Sequence, residues 1–395
     1  MRKFDKKMFS KKNKKKKIVF ISATRADFGK IKSILNIFRK ENNFEIYIFA
    51  TGMHMSEKHG LTVVEIEKCN FKNIYRYING AHLNDLDETL ASTISGFGQY
   101  VKMIKPNLIV VHGDRGEAMA GALVGSLNNI PVAHIEGGEV SGTIDEHIRH
   151  SISKLSHFHF VANLGAKRRL IQMGEQKENI FIIGSPDIDI MISKRLPDLE
   201  AAKKRYKIFF KTYSIVIFHP VTTEIKNLSK QTNILVNSLL ESKGDYIVIF
   251  PNNDTGSEII LEIYKKKILN HPNFRVFPSI RFEYFLTLLK NTQCLIGNSS
   301  AGVREAPFYG VPSINIGSRQ NSRANKNTPS ILHLDFNKKE LVKIFSKYTA
   351  YTTHKFRYHP DTQFGNGNSA RKFLEICRKP SFWNINIQKK FLDFK

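Results

Sequence analysis

Short apolar runs alternate with amphipathic helical stretches along most of this chain, and no other feature restricts its possible folds as strongly. In the first half, the apolar runs lie at residues 18–23, 44–52, 108–111, 131–135, 158–163 and 180–187. Helical patterns separate several of them, at about 27–40, 86–104, 117–128 and 145–155. Because continuous apolar runs of this length are typical of buried parallel strands, the alternation predicts an α/β fold with a doubly wound sheet and helices on both faces.

The alternation restarts after a polar segment at 193–213, which indicates a second domain. Further strands are predicted at 214–220, 246–252, 274–280, 294–300 and 312–318. We therefore expect two Rossmann-like domains, with their boundary between 190 and 210. The predicted divisions are a basic disordered tail (1–17), a first domain (18–195), a second domain (196–365) and a C-terminal helix and tail (366–395) packing back across the hinge.

Composition favours a globular protein and argues against several other classes. The 395 residues are 41% hydrophobic, yet no apolar run approaches the length that a bilayer span needs. No apolar segment follows the basic start of the chain, so a secretory signal is not predicted. Cys69, Cys294 and Cys377 are far apart and match no metal or redox spacing. These features predict a cytoplasmic protein without membrane insertion.

The net charge is strongly positive, at +26, and the tail carries a large share of it. Residues 1–17 contain ten basic residues and one acid, so we expect this segment to be open, solvated and unnecessary for folding. A basic surface is compatible with phosphate-rich partners such as nucleic acid. No RNA-binding, zinc-finger or helix-turn-helix signature accompanies the charge, so nucleic acid is not the expected primary partner.

Three acidic residues of the first domain lie where ligands bind in open α/β sheets. Asp114 follows the strand at 108–111, Glu136 follows the strand at 131–135, and Asp145 begins the next helix. Ligands of such sheets occupy the crevice at the carboxyl ends of the strands. Carboxylates gathered there indicate acid–base chemistry on a bound substrate. Taken singly, Asp114 is equally compatible with a helix cap, and Glu136 with a solvated turn.

Residues 297–305, GNSSAGVRE, combine small residues and hydroxyls at the expected start of a helix. Backbone N–H groups at a helix start favour anions, and small residues let the backbone approach a phosphate. Ser299 and Ser300 are therefore candidate phosphate ligands, and Glu305, two turns into the expected helix, is a candidate for accepting ribose hydroxyls. The alternative is a capped helix in which the serines bind its own first amides.

Several basic and polar side chains are predicted at the same cleft. Arg25 follows the first strand in the segment TRAD, and its forked donors suit a phosphate. This segment is not a GxGxxG fingerprint, so no nicotinamide cofactor is expected. His219 ends a strand, where it is suited to stabilise a departing diphosphate or to move a proton. The remaining candidates are Arg115, Asn252, Asp254, Arg319 and Arg323. The alternatives are surface arginines, a structural histidine and a plain turn at 251–258.

Four motifs in order, HGDR (112–115), HIEGGEVSGTIDEHIRH (134–150), HPVTTE (219–224) and GNSSAGVRE (297–305), resemble the hydrolysing UDP-N-acetylglucosamine 2-epimerases. That family includes bacterial enzymes of sialic acid synthesis and the epimerase half of an animal bifunctional enzyme. The resemblance begins at 24–30 and extends to at least 317–320, which is about three quarters of the chain. It implies a glycosyltransferase-B-like architecture, with two Rossmann-like domains facing one cleft.

The resemblance also implies a reaction and a set of roles. A carboxylate would remove the C2 proton while UDP leaves C1, and water would then add to the 2-acetamidoglucal to give N-acetylmannosamine. No metal and no redox cofactor is implied, and the assembly would be a homodimer or homotetramer. Asp145–Glu146 stands where non-hydrolysing relatives typically have two glutamates, so Asp145 matches the hydrolysing branch. The implied roles are acid–base catalysis (Asp114, Glu136, Asp145), proximity to sugar and phosphates (His219), nucleotide or phosphate contacts (Arg25, Arg115, Asn252, Arg319), pyrophosphate binding (Ser299, Ser300) and ribose binding (Glu305).

Other functions remain open at this point. The closest is the same reaction on UDP- or GDP-linked N,N'-diacetylbacillosamine, in legionaminic acid synthesis. A glycosyltransferase would use the same nucleotide site but transfer the sugar to an acceptor, and the dense acids at 114–145 argue against it. A basic nucleic-acid-binding protein is the third alternative. The sequence does not indicate which carboxylate removes the C2 proton.

Overall fold

The computed structural model describes residues 15–57, 59–80, 85–141, 143–252, 254–321, 328–351, 356–390 and 392–393. Most of the predicted tail and the candidate phosphate ligand Arg323 therefore lie outside the described residues. Lys16 and Lys17 are described, and both belong to the first strand, which begins two residues earlier than predicted. Their backbone pairs with the neighbouring strand, and Lys17 Nζ donates to the carbonyl oxygen of Ile104 at 3.1 Å. Pairing with a neighbour, rather than apolar character, thus decides where this strand begins.

The first sheet has seven parallel strands, with the strand order reversing beside the first of them. In chain order they are β1 (Lys16–Ser22), β2 (Phe44–Ala50), β3 (Asn73–Arg76), β4 (Leu108–His112), β5 (Val132–Ile135), β6 (Phe158–Val161) and β7 (Ile180–Ile182). Their spatial order is β3-β2-β1-β4-β5-β6-β7. Ile18 of β1 pairs with Ile46 of β2 on one side and with Leu108 of β4 on the other. Such a reversal opens a crevice at the carboxyl ends of β1 and β4.

The second sheet repeats this arrangement with six parallel strands. They are β8 (Ser214–Ile217), β9 (Tyr246–Ile249), β10 (Phe274–Phe277), β11 (Leu295–Gly297), β12 (Ser313–Ile316) and β13 (Ile331–Leu334). Their spatial order is β10-β9-β8-β11-β12-β13, so the reversal here lies between β8 and β11. Ile215 of β8 pairs with Ile247 of β9 and with Leu295 of β11. The two domains therefore each present one crevice.

Helices separate nearly all consecutive strands and cover the sheets. They are α1 (Arg25–Phe38), α2 (Val63–Glu67), α3 (Leu86–Ile104), α4 (Gly116–Leu127), α5 (Ile144–Leu155), α6 (Leu164–Gln172), α7 (Pro186–Met191), α8 (Leu199–Tyr206), α9 (Ile225–Glu241), α10 (Ser257–Lys267), α11 (Phe282–Lys290), α12 (Glu305–Phe308), α13 (Lys338–Thr349) and α14 (Ser369–Arg378). None of the helices in the described part of the chain is long and apolar enough to cross a membrane.

Two short strands were not predicted from the sequence. β3 and β13 contain four residues each and lie at an edge of their sheets. β3 includes Asn73 and Arg76, and β13 includes the exposed His333. Edge strands as short as these limit edge-to-edge aggregation, but four residues are too few to form the continuous apolar run that marks a buried strand. Their pairing comes from the neighbouring strand rather than from their own composition.

The start of α1 is fixed by a capping box. Thr24 accepts a hydrogen bond from the N–H of Asp27, and the Asp27 carboxylate accepts one from the N–H of Thr24 at 3.0 Å. Burial raises the pKa of Asp27, but hydrogen bonds from His54, Ala23 and Ser22 outweigh it and lower the pKa to about 2. The helix that carries Arg25 therefore leaves β1 in a defined direction.

The last helix returns to the first domain. Asp189 of α7 accepts hydrogen bonds from the first amides of α14, those of Ser369 and Ala370, at 2.9 and 2.8 Å. Phe373 of α14 packs against Phe38 of α1, with ring centroids 5.6 Å apart, and it belongs to the buried core of the first sheet. The chain therefore passes between the two domains twice.

Candidate active site between the two sheets

The two crevices face each other, and side chains cross from one domain to the other. Arg319, which follows β12, donates from Nη2 to Asp145 of α5 at 3.1 Å. The same Nη2 lies 3.9 Å from Asp254, which precedes α10. Within the described residues, Arg319 Nε is buried and has no hydrogen-bond partner, so the guanidinium keeps donor capacity for a ligand. Asp145 and Arg319, both predicted from sequence, are thus brought together across the cleft.

Arg115 contributes a second positive group at this end of the cleft. It caps the start of α4, and its Nε lies 3.4 Å from Glu117. Burial lowers its pKa, but the carboxylates of Glu117, Asp254, Asp27 and Asp145 together raise it. The predicted phosphate ligand Arg115 therefore lies among the same acids as Arg319, and the guanidinium stays charged.

His219 follows β8, and its ring orientation is set by backbone hydrogen bonds. The backbone N–H of Asn252 donates to His219 Nδ1 at 3.0 Å, while the Asn298 side chain binds both the N–H and the carbonyl of His219. Burial, together with the positive charge of Arg319, lowers the pKa of His219 well below its usual value. A neutral ring that accepts at Nδ1 carries its proton on Nε2. His219 is therefore suited to donate a hydrogen bond to an anion.

Glu136 lies in a second group of charges, deeper between the domains. It follows β5 with a φ of +67°, a left-handed conformation that is uncommon for a residue other than glycine, and it is only 3% exposed. The alternative of a solvated turn is therefore wrong. Its carboxylate accepts hydrogen bonds from Ser185 Oγ at 2.7 Å and from Arg304 Nη2 at 2.5 Å. Burial raises the pKa of Glu136, but Arg304, Lys30 and His112 outweigh burial and hold it well below the usual range.

Arg304, Lys30 and Asp187 are members of this group that the sequence analysis missed. Arg304 lies just before α12 of the second domain and donates to Glu139 at 2.7 Å, and its Nη2 lies 3.5 Å from Asp187. Lys30 Nζ of α1 lies 3.9 Å from Glu136 and 3.7 Å from Asp187. The signals in the sequence were a charged residue next to the candidate Glu305 in GVRE, and a lysine five residues after Arg25 in TRADFGK.

Asp114 binds Arg149, which is fully buried in α5. The N-cap residue of α4 is Arg115 rather than Asp114, and Arg115 makes no side-chain cap hydrogen bond. Arg149 Nη1 also donates to the carbonyl oxygen of Glu139 at 3.4 Å. Asp114 is therefore not the N-cap residue of α4, and its carboxylate is held by an arginine of its own domain.

Arg25 is the first residue of α1 and spans the cleft opening. Its Nη1 donates to Ser279 Oγ of the second domain at 2.5 Å, and its Nη2 lies 3.0 Å from Glu65. Arg25 Nε is buried and has no hydrogen-bond partner among the described residues. The guanidinium predicted to bind nucleotide or phosphate thus also connects the two domains here.

The segment GNSSAGVRE has a different local structure from the predicted one. A short 3₁₀ helix (Ser300–Gly302) follows β11, and Ser299 Oγ accepts from the N–H of Ala301 at 3.3 Å, as the capping alternative proposed. Glu305 begins α12 and does not lie two turns into a helix, because the chain turns again at Arg304. Glu305 is buried, which raises its pKa, and within the described part of the chain its Oε2 has no hydrogen-bond partner.

The site therefore contains carboxylates, arginines and a neutral histidine between two Rossmann-like domains. Among the described residues, no group of three or more His, Cys, Asp or Glu side chains is arranged to hold a metal ion. Buried donors and acceptors without partners indicate a polar ligand that fills them. The fold and the site together define a two-domain α/β enzyme with a charged interdomain cleft, of the glycosyltransferase-B-like type predicted from sequence.

Comparisons with known proteins identify the family. The family model for UDP-N-acetylglucosamine 2-epimerase matches residues 36–378. A UDP-N-acetylglucosamine 2-epimerase of Neisseria meningitidis serogroup B is 44% identical over 96% of this chain and 99% of its own. A UDP-N,N'-diacetylbacillosamine 2-epimerase (hydrolyzing) of Legionella pneumophila is 35% identical over 78% of this chain and 82% of its own. The chain therefore belongs to the UDP-N-acetylglucosamine 2-epimerase family.

A solved structure supports the architecture. The UDP-GlcNAc 2-epimerase of Methanocaldococcus jannaschii, in complex with UDP-GlcNAc and UDP, superposes with a TM-score of 0.74 at 22% identity. The match covers 91% of this chain and 99% of that chain. The predicted fold class, two Rossmann-like doubly wound domains facing a cleft, is confirmed.

Proposed function

We propose that this protein is a hydrolysing 2-epimerase, which converts UDP-N-acetylglucosamine and water to N-acetylmannosamine and UDP. The proposal is supported by membership of the family and by the relative that is 44% identical over nearly the whole chain. The observation that carries it is the pairing of Asp145 with Arg319 across the cleft, since it sets an acid–base candidate next to a phosphate-binding candidate. The product would feed synthesis of a sialic-acid-type nonulosonate.

The diphosphate would bind at the end of the cleft that holds Arg115, His219 and Arg319. The two guanidinium groups supply positive charge, and the neutral histidine supplies an N–H at Nε2. Such donors stabilise the negative charge that develops on UDP as the bond between C1 and the phosphate oxygen breaks. His219 would therefore act as a hydrogen-bond donor to the leaving group rather than as a resident imidazolium.

The nucleoside end would lie at the segment that contains Ser299, Ser300 and Glu305. The buried Glu305 Oε2 has an acceptor position without a partner among the described residues, which ribose hydroxyls would fill. The first amides of the short 3₁₀ helix and the serine hydroxyls would add donors near the pyrophosphate. Arg25 would contact the nucleotide from the first domain, after exchanging one of its present partners.

The chemical steps need a base, an acid and a water molecule. A carboxylate takes the C2 proton, the electron pair forms the C1–C2 double bond, and UDP departs with the electrons of the C1–O bond. Water then adds its oxygen to C1 of the 2-acetamidoglucal, and a proton is delivered to the opposite face of C2. We assign these proton transfers to Asp114, Glu136 and Asp145. Because Glu136 is held ionised, it suits the base role better than the acid role.

Turnover in deuterated water tests the proposal. The protein is incubated with UDP-N-acetylglucosamine, without nicotinamide, and the products are identified by NMR. We expect free UDP and free N-acetylmannosamine that carries deuterium at C2. A product that retains its original C2 hydrogen would refute the elimination step. Accumulation of UDP-N-acetylmannosamine instead of the free sugar would refute the hydrolysing type while leaving the epimerase assignment intact.

A second candidate is the same hydrolysis of UDP- or GDP-linked N,N'-diacetylbacillosamine. The Legionella pneumophila relative, named for that substrate, is 35% identical to this chain. A parallel assay with both sugars decides between them, since the preferred substrate has the higher kcat/KM.

The proposed assembly is a homodimer or homotetramer. Size-exclusion chromatography with light scattering measures which of these the protein forms in solution.

A further inference from the structure

Arg304 is a buried cation with several partners that the reaction scheme does not use. It belongs to the second domain, yet its guanidinium binds Glu136, Glu139 and Ser185, all of the first domain. Its side chain is 1% exposed and lies over the Phe364 ring, 4.5 Å from the ring centroid. A buried arginine with this many partners has one fixed orientation.

Arg304 and Lys30 lie in a dense cluster of buried acids. Four carboxyl groups, those of Glu136, Glu139, Asp187 and Glu305, lie within ion-pair distance of one or both of these cations. Buried ion pairs contribute little net stability, because desolvation offsets their attraction. A cluster of this kind between two domains therefore indicates a functional site rather than a purely stabilising one.

Within this group, the Glu136 carboxylate has contacts from several elements of both domains. Lys30 of α1 and His112 of β4 lie 3.9 and 3.4 Å from its carboxylate, and Ser185, at the start of α7, donates to it. Asp187 faces the same cations from α7. Of these contacts to Glu136, the one from Arg304 comes from the second domain, so it depends on how the domains are arranged.

We propose that Arg304 is a positioning residue, which reaches across the cleft to hold the Glu136 carboxylate ionised and correctly oriented when the domains close. This inference rests on the proposed function of Glu136 as an acid–base residue. Arg304 itself does not contact the reacting atoms. It makes the reactivity of a first-domain carboxylate depend on the position of the second domain, so that Glu136 is fully prepared only when the cleft is closed around a substrate.

The pH dependence of turnover distinguishes this role from a structural one. In Arg304→Gln, Glu136 would keep its proton to a higher pH, so we expect the acid-side midpoint of kcat to rise by about one pH unit or more. In Arg304→Lys, which restores the charge, the midpoint should return toward the wild-type value. Lys32→Gln is the matched control, because Lys32 binds Glu283 across the same domain boundary and its loss should leave the midpoint unchanged. A slower Arg304→Gln with an unmoved midpoint would overturn the proposal.

A second measurement needs no turnover and separates this inference from the proposed function. The melting temperatures of Glu136→Gln, Arg304→Gln and the double variant form a double-mutant cycle. We expect the double variant to lose clearly less than the sum of the two single losses, whereas Glu136→Gln combined with Lys32→Gln should be additive. Additive losses for Arg304 and Glu136 would show that they do not act together. A wild-type chain inactive on every nucleotide sugar would refute the proposed function, and the cycle would still decide on the contact.

Discussion

Each of the three acid–base candidates has an arginine of its own. Asp114 binds Arg149, Glu136 binds Arg304, and Asp145 binds Arg319. Only the first of these arginines belongs to the same domain as its carboxylate. In the proposed function Arg319 also binds the diphosphate of the substrate, so Asp145 would share its arginine with the leaving group.

At the residue scale, removing any of the three carboxylates should slow turnover, but the variants should differ in thermal stability. Asp114→Asn, Glu136→Gln and Asp145→Asn should each reduce kcat by at least ~100-fold, the usual scale for lost acid–base assistance. Glu136→Gln and Asp114→Asn should also lower the melting temperature, since each leaves a buried arginine, Arg304 or Arg149, without one carboxylate partner. Product release assays and thermal unfolding of the same preparations check both statements. Near-normal kcat in all three variants would show that the chemistry lies elsewhere.

The sequence indicates candidate residues that directly follow strands, but it gives no such signal for Arg304 or Lys30. Asp114, Glu136 and His219 were identifiable because each follows an apolar run, and parallel strands bring their carboxyl ends together. Arg304 and Lys30 lie inside helical or turn segments. Only the packing of one domain against the other shows that Arg304 binds Glu136 and that Lys30 lies near Glu305. Ion pairs between distant segments leave no local pattern in a sequence.

At the element scale, α1 connects the two domains through both its charges and its shape. Arg25 and Lys32 bind Ser279 and Glu283 of the second domain. Between them, Gly29 faces Phe282 at the start of α11, so closely that a Cβ on Gly29 would lie 2.7 Å from the Phe282 side chain. The absence of a side chain at Gly29 therefore allows the two helices, and with them the two domains, to approach this closely.

Gly29→Ala should consequently hold the cleft partly open. We expect kcat/KM for the nucleotide sugar to fall roughly tenfold, corresponding to the ~1–3 kcal/mol that overpacking typically costs. Gly98→Ala is the control, because Gly98 lies in α3 with nothing within 4 Å of its added Cβ. That variant should retain full activity and be as stable as the wild type or slightly more stable. Equal kinetics for the two variants would contradict the role assigned to Gly29.

Element boundaries show the limit of sequence patterns at this scale. The long apolar runs around β1, β4 and β8 were placed correctly because burial on both faces makes them continuous. The segment GNSSAGVRE (297–305) was predicted less well, since a 3₁₀ helix and α12, with Arg304 between them, stand where one helix was expected. A turn held by tertiary ion pairs overrides local helix preference there.

At the scale of the whole molecule, the C-terminal segment is bound firmly to the first domain. Lys389 Nζ donates to the carbonyl oxygens of Lys154 and Ser156 and to Glu175, each at 2.7 Å. Glu175 is also bound by His159 at 2.9 Å and by Lys154 at 2.9 Å. Burial raises the pKa of Glu175, but His159 and Lys389 outweigh it and lower the pKa to about 2.

Glu175→Gln should therefore destabilise the protein in a pH-dependent manner. A carboxylate whose folded pKa is depressed contributes stability above its unfolded pKa, and this contribution is lost as the pH falls toward the folded value of about 2. We expect the melting temperature to fall by several degrees at pH 7 and the difference from wild type to shrink below pH 4. Calorimetry of both proteins at the two pH values checks this. Glu41→Gln is the control, because Glu41 binds Arg378 at the exposed surface. A loss that does not vary with pH would contradict this assignment.

The return of α14 to the first domain also affects the order in which the protein can be completed on the ribosome. Phe373 and Phe382 contribute to the core of the first sheet, against Phe38 and Phe160. At typical synthesis rates, the intervening second domain takes roughly 10–40 s to emerge. During that time the apolar face that α14 later covers is exposed on the growing chain. The first domain to be synthesised is thus the last to be finished, and its early protection falls to chaperones or to transient contacts within the nascent chain.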